Sequence, residues 1–417
     1  MLQPFLPEEK TASLHSPHPL PEGVALHAGI RPSQTRLIAG LYSNRQLRAQ
    51  ACRMATNKNQ HFVPRVHLRP FTVGEGDAAI NVFNLDRKKI IPNAPVKNQC
   101  SGDYFYGRDE KLEAAIRSVE GAYGSVLNDL RKPGRSLQPG HKTVLLRFWL
   151  LQYMRTEAAS RRSVEMAADL HDFSEQEDPF SFGIKEAVRI AMRTYADVMS
   201  ITDDLKVCLI RNRTSIPLVT SDDPAVLANR WYLEDRRIAG RSFGLQSSGA
   251  LSILPLTPRL CFIAYDGDVY NIPHQSGWLD ARREADIRAL NQFQLLNCFA
   301  NIYLHDMQGA RSLLEQHEAA MPRRIAERRR FHVAIRDVDV GDHTRYRVVS
   351  TDEAKVAQSD TLFHSETIHY RPTHWPAFIN WRTPGAVYTN GTGLKYVRAM
   401  FAATIQSHRD FWREAAR

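Results

Sequence analysis

The chain has 417 residues, 43% hydrophobic and 24% charged, with a formal net charge of +10 at pH 7; that length and apolar content exclude a wholly disordered chain and suffice for a large core. No apolar run reaches the ~18 residues a membrane span needs, and five scattered cysteines without a C-x-x-C pair argue against a disulfide framework or zinc ribbon and fit a reducing cytoplasm. The basic excess points to nucleic acid or another anionic ligand as partner, with no membrane.

Residues 1–53 contain HSPHPLPEGVALHAGIRPSQTR, rich in proline and histidine and without a sustained period. They are expected to be disordered or to precede the natural start, because composition changes abruptly at Met54. From Gln60, HFVPRVHLRPF is expected to be extended, since Pro64 and Pro70 oppose a helix interior. AAINVFNLDRKKII then reads as a short hairpin.

Residues 109–132 carry Leu112, Ile116, Val119, Tyr123, Val126 and Leu130 at three- and four-residue steps, one face of an amphipathic helix that Pro133-Gly134 ends. A second helix is predicted over 141–170, apolar on nearly every side between Val144 and Met154 and therefore central. A third covers 184–199. Next come two apolar runs, 207–210 and 216–219, read as a hairpin or neighbouring strands, and two more strands in ALSILPLTPRLCFIAYDGDVY. EADIRALNQFQLLNCFANIYL is again helical by its spacing. Beyond residue 305 a polar helix, three strands and a closing amphipathic helix in LKYVRAMFAATIQSHRDFW are predicted.

The resulting expectation is an α+β fold, mixed helices packed on a mainly antiparallel sheet. The main domain would span residues 54–305, with a smaller α+β extension over 306–417.

Several spaced signatures then line up: NQHFVPRVHLRPF, EAAIRSVEGAY, LLQYMRTEAASRR, PLVTSDDPAV, LPLTPRL and LNQFQLLNCFANIYL. In order and spacing they resemble the bacterial family catalogued as domain of unknown function 4238, over about residues 54–305. The resemblance implies that Met54 is at or near the natural start; it implies candidate positions and no reaction. Asp223, His67 and Pro70 depart from the family pattern, which implies that they are not essential.

The candidate residues follow from their chemistry. His61 can serve as acid, base or metal ligand near neutrality, and the adjacent Gln60 amide can orient a substrate or water; its alternative is a histidine that ties the first strand down. Gln152, Arg155 and Thr156 share one side of an apolar helix. A buried guanidinium requires a carboxylate or an anion beside it. Glu120, on the edge of its helix's apolar stripe, is the better partner for Arg155, while Glu113, four residues before Arg117, reads as an exposed ion pair. Ser221 and Asp222 stand where a strand ends in a turn at Pro224, a place for an acid or for a simple turn cap. Asn291, in line with Asn297 and Asn301, is an inward amide or a helix-packing contact.

Asp204-Leu205-Lys206 is a weak nuclease-like motif in reversed order. His364, His369 and His374, with Glu366, fall on opposite faces of a strand and make a zinc site improbable. The absence of G-x-x-x-x-G-K, G-x-G-x-x-G, G-x-S-x-G and H-E-x-x-H patterns disfavours kinases, Rossmann dehydrogenases, α/β-hydrolases and zincins.

The expected function is a hydrolase of a phosphodiester or other anionic substrate, nuclease-like, with phage defence as an associated role. His61, Asp222 and Glu120 form the catalytic set, with a divalent metal as the cofactor open to it. Gln60, Gln152, Arg155, Ser221 and Asn291 bind the substrate. The alternative is a non-catalytic ligand-sensing or interaction module whose buried polar network is structural.

Overall fold

The computed structural model describes residues 58–174, 183–324, 329–340, 343–357, 361–391, 395–405 and 410–417. The expectations for residues 1–53 and for Met54 lie outside the described residues.

Asn59–His61 forms the first strand (β1). Where its prolines predict extended backbone, the chain coils: Arg65–Leu68 is a helical turn (α1) and Arg69–Phe71 a 3-10 turn. Pro64 precedes the first turn and Pro70 sits at the start of the second, the positions where a missing N–H goes unneeded. Ala79–Asn84 (β2) and Lys89–Pro95 (β3) make the predicted hairpin, and Ser101–Asp103 (β4) pairs with β1, His61 opposite Ser101.

Glu110–Leu130 (α2) starts on Asp109, whose carboxylate accepts from the N–H groups of Lys111 and Leu112 at 3.0 and 3.2 Å. Pro139–Arg155 (α3) is as central as its composition predicts, with Leu145, Leu146, Phe148, Trp149, Leu150 and Leu151 all buried. The single helix predicted to residue 170 is in fact two. Thr156 leaves the helix with φ −63° and ψ 160°, and its hydroxyl caps Glu157–Ser174 (α4) by accepting from the N–H of Ala159 at 3.2 Å. Ile184–Asp197 (α5) packs on α3 and α4.

Lys206–Asn212 (β5), Thr220–Ser221 (β6) and Val226–Ala228 (β7) lead into the short helix Arg230–Glu234 (α6), followed by Leu251–Thr257 (β8), Leu260–Tyr265 (β9), Tyr270–Asn271 (β10) and Trp278–Ala281 (β11). Five of these strands form a sheet in the order β11-β5-β9-β8-β7, with β11 parallel to β5 and the other pairs antiparallel. Both faces are buried, because alternate residues serve two cores: Val207 and Leu209 point into one, Cys208 and Ile210 into the other. The runs 207–210 and 216–219 are not hairpin partners. β5 pairs with β9, whereas the second run enters a strand only at Thr220.

Glu284–Asn297 (α7) ends sooner than its spacing predicts, and Asn301–Leu304 (β12) pairs with β2 and β6 in the order β3-β2-β12-β6. After Gln308–Ala320 (α8), Arg329–Val340 (β13), His343–Val349 (β14) and, past Thr351–Val356 (α9), Thr361–Thr367 (β15) form a sheet in the order β14-β13-β15. Asn380–Trp381 (β16) pairs with β10. Ala386–Thr389 (β17) is flanked by Tyr396–Val397 (β18) and, beyond the single turn Ala399–Ala402 (α10), by Trp412–Ala415 (β19). Of the predicted closing helix over 394–412, residues 394 and 406–409 lie outside the described residues; within the described part only Ala399–Ala402 is helical, and β18 and β19 each satisfy one edge of β17. Phe378, Ile379, Val387, Tyr396 and Ala416 complete the second core.

One backbone position there tolerates glycine alone. Gly249 has φ +75°, and a Cβ on it would lie 2.7 Å from Asn229 Oδ1 and 2.9 Å from Trp231 Cβ. Asn229 is the cap of α6, accepting from the Tyr232 N–H at 3.0 Å. Gly249→Ala should therefore cost about 2 kcal/mol, read as a lower urea midpoint at unchanged slope.

Candidate functional site

A cleft of about 550 Å³ runs between α2 and the β1–α1 segment. One wall is Gln60, His61, Pro64, Arg65 and Val66; the other is the side of α2 that carries Glu113, Arg117 and Glu120. The helix can come this close because it presents glycine: a Cβ at Gly124 would sit 2.8 Å from Val66 Cγ2.

Gln60 is committed to the backbone. Its Oε1 accepts from the Tyr106 N–H at 2.7 Å and its Nε2 donates to the Gly107 carbonyl at 3.2 Å. It pins the loop after β4 beside β1, and the Tyr106 hydroxyl returns to donate to the His61 carbonyl at 2.8 Å. The His61 ring is thereby oriented. Its Nδ1 lies 3.0 Å from the Gln99 carbonyl, and since a carbonyl only accepts, Nδ1 carries the proton and Nε2 keeps its lone pair when the ring is neutral. Burial, helped by the positive charges of Arg65 and Arg155 and opposed by the Gln99 bond and Glu120, lowers the His61 pKa below its ordinary value. At neutral pH the ring is an uncharged base facing the cleft.

Beneath it, Arg155 is fully buried and its Nη1 comes within 2.8 Å of Glu120 Oε1, out of line for a hydrogen bond, so the contact is ionic. Gln152 lies one turn back on α3, and with its carboxamide oxygen toward the guanidinium it accepts from Nε at 2.9 Å and Nη2 at 2.8 Å. Burial works against the Arg155 charge, but Tyr106 and Glu120 beside it outweigh that and hold its pKa up. Glu120 is the partner the sequence points to. Glu113 differs from expectation: it does pair with Arg117, at 3.0 Å, but its side chain is only 9% exposed.

The other candidates lie elsewhere, none of them lining the cleft. Asp222 accepts from three successive N–H groups, Phe299 at 2.7 Å and Ala300 and Asn301 at 2.8 Å, and so stops α7 and starts β12. Burial raises its pKa to about 6, against those three bonds. Ser221 Oγ donates to Gln294 Oε1 at 2.8 Å. Asn291 accepts from the Val219 N–H at 3.0 Å and donates to the Pro217 carbonyl at 2.9 Å. Ser221 and Asn291 thus bind the 217–224 segment to α7, and Asp222 ties it to the turn that follows.

Two residues that depart from the family pattern are central to the packing. Asp223 accepts from the Thr156 hydroxyl at 2.7 Å and pairs with Arg162 at 2.9 Å. His67, fully buried, lies 2.9 Å from the Tyr123 hydroxyl and 3.0 Å from Thr220 Oγ1. Arg65, Arg117 and Tyr106 are cleft residues that sequence reasoning missed; the i, i+4 spacing of Glu113 and Arg117 was visible, whereas the burial of Glu113 was not.

Among the described residues no group of three or more His, Cys, Asp or Glu side chains is placed to hold a metal ion. His364, on β15, lies near Glu366 at 3.8 Å, while His369 stacks on Phe243 and His374 donates to the Ala285 carbonyl. A second depression, of about 610 Å³ and lined by Trp231 and Trp381, holds no predicted site residue, and its Arg237 and Arg417 are paired with Asp235 and Glu234. No helix among the described residues is long and apolar enough to cross a membrane.

A family model described as a protein of unknown function (DUF4238) matches residues 59–308. No curated protein and no solved structure matches the chain.

Proposed function

The chain belongs to the DUF4238 family, and from its cleft we propose a hydrolase of phosphate esters, nuclease-like in its chemistry. The observation that carries this reading is His61: a half-buried imidazole with one nitrogen fixed on a carbonyl, the other free of protein partners among the described residues, and a lowered pKa. That is the arrangement a general base needs.

In this reading His61 Nε2 takes a proton from water as the water oxygen bonds to phosphorus. The ester P–O bond breaks, and the leaving oxygen takes the proton back from the imidazolium. Arg65, exposed and without an ion pair among the described residues, meets the substrate anion. Arg155 is sealed beneath the cleft, so its part is to position Glu120, which favours the imidazolium as it forms. Gln60 and Tyr106 hold the histidine in place.

His61→Ala should lower turnover of bis(4-nitrophenyl) phosphate or a single-stranded oligonucleotide by at least about 100-fold, with and without added Mg²⁺ or Mn²⁺. Wild-type protein without turnover, or a variant as active as wild type, contradicts the hydrolase reading. The second reading, a ligand-sensing module, is favoured by the sealing of Asp222, Ser221 and Asn291 against backbone or side-chain partners. Tight ligand binding without turnover supports it.

A further inference from the structure

We propose that the cleft is a groove open at both ends, which draws a single nucleic-acid strand past His61 so that the bond cut is an internal one. The inference deepens the hydrolase reading of this cleft and rests on it.

The length of the cleft can be followed along α2. Its lining begins at Glu113 and continues through Glu120 to Ser125 and Asn128, about 22 Å of helix at its usual rise. His61 stands near the middle of that length. Glu120 meets Arg155 at 2.8 Å, the Arg155 guanidinium lies 5.9 Å from the centre of the Tyr106 ring, and the Tyr106 hydroxyl donates to the His61 carbonyl at 2.8 Å. These contacts set the imidazole across from Glu120. The α2 wall therefore runs on for about 10 Å past the base toward Glu113 and for about 12 Å toward Asn128.

A site for a terminal phosphate is blind on one side of its base. Here the lining residues toward both ends are exposed, Arg117 on one side and Ser125 and Asn128 on the other, so a chain can enter and leave. At roughly 3.4 Å per nucleotide the groove spans about six nucleotides of a stacked strand and fewer of a stretched one. A volume of about 550 Å³ over that length is a narrow channel, suited to one sugar-phosphate backbone and too narrow for a duplex. The rim suits a polyanion: Arg65 has no ion pair among the described residues, and Arg117 is exposed beside Glu113. Pro64, Val66 and Ile116 place apolar surface along the same lining, where sugar carbons can rest.

The chemistry is the step already described. The water oxygen bonds to phosphorus as His61 Nε2 takes its proton, one of the two ester P–O bonds breaks, and the imidazolium protonates the leaving sugar oxygen. One cut leaves two strands, one ending in phosphate and one in hydroxyl.

Fluorescence anisotropy with the full chain and oligo-dT of increasing length reads the groove. Affinity at low salt should rise at least about 10-fold from the mononucleotide to the hexamer and little beyond it, with a hexamer duplex at least about 10-fold weaker than the single strand. Asn128→Lys should steepen the fall of log affinity with log salt by about 0.7, one further phosphate contact on a single strand, and Asn128→Glu should weaken hexamer binding several-fold. A closed circular single strand, which has no ends, should be opened to linear product by wild type and left closed by His61→Ala. Circles of DNA and of RNA, run in parallel, tell which strand is the source.

Affinity that levels at the mononucleotide, a duplex bound as tightly as the single strand, equal binding by the two Asn128 variants, or circles left intact while linear strands shorten from an end overturns the proposal. Turnover of bis(4-nitrophenyl) phosphate without strand binding keeps the hydrolase reading and overturns this one. Strand binding with the stated length and charge dependence, but no turnover of any phosphate ester, supports the groove and overturns the hydrolysis on which internal cutting rests.

Discussion

Glu120→Gln lowers the unfolding free energy by about 3–5 kcal/mol, the range for stranding a buried charge. Arg155 has no exposed side-chain surface, and Glu120 is its one counter-charge among the described residues, at 2.8 Å. Gln152 provides two acceptor contacts but no charge. The guanidinium cannot escape by losing its proton. Adding Arg155→Met to Glu120→Gln should recover much of the loss, because the pair is then replaced by uncharged groups of similar volume. Urea unfolding of the two single variants and the double variant forms the cycle. A cost below about 1 kcal/mol for Glu120→Gln, or strict additivity, contradicts a buried, mutually dependent pair.

His67 makes stability fall with acid. Burial, reinforced by the nearby Arg155 charge, lowers its pKa from 6.5 to about 3. Its neighbours are hydroxyls, Tyr123 and Thr220, which favour the neutral ring. Above pH 6.5 the ring is neutral in both the folded and the unfolded chain, and the stabilisation is complete. As pH falls from 6.5 toward 3 the unfolded chain takes up a proton that the folded one refuses, so stability drains at about 1.4 kcal/mol per pH unit. His67→Gln removes this titration. Between pH 8 and 4.5 wild type should lose about 2.7 kcal/mol more than the variant, read from urea midpoints at each pH. Parallel pH profiles would mean that the folded protein admits the proton.

The helices were legible where local chemistry decides them. Asp109 caps α2, and Ile116, Tyr123, Val126 and Leu130 of its stripe are buried as their spacing requires. The all-round apolar run in α3 is central for the same reason. Errors fall where a distant group intervenes. Asp222 takes the N–H groups of Phe299, Ala300 and Asn301 and turns a predicted helix into helix and strand. Thr156 divides another helix, its hydroxyl bonded to Asp223 from 67 positions along the chain.

The site was half legible. Gln60 and His61 lie together on the cleft wall, and Arg155 pairs with Glu120, a match that the place of Glu120 on the edge of its helix's apolar stripe and the buried charge on the apolar helix α3 suggest. Glu113 was read as solvated because an i, i+4 glutamate and arginine normally are. Its burial depends on tertiary packing, which no local pattern encodes.

By itself the sequence determined the α+β composition, the amphipathic and central helices, the family, and the residue types of a polar site. Periodicity, capping and composition act over a few neighbouring residues and can be read from them. Tertiary structure alone decided that His61, Glu113 and Glu120 line one cleft with Arg155 sealed beneath it, while Ser221, Asp222 and Asn291 make their bonds elsewhere. The physical reason is that a polar side chain's role depends on which partner satisfies it. For Asp222 that partner is a run of backbone N–H groups, and for Glu113 Oε2 the described residues supply none.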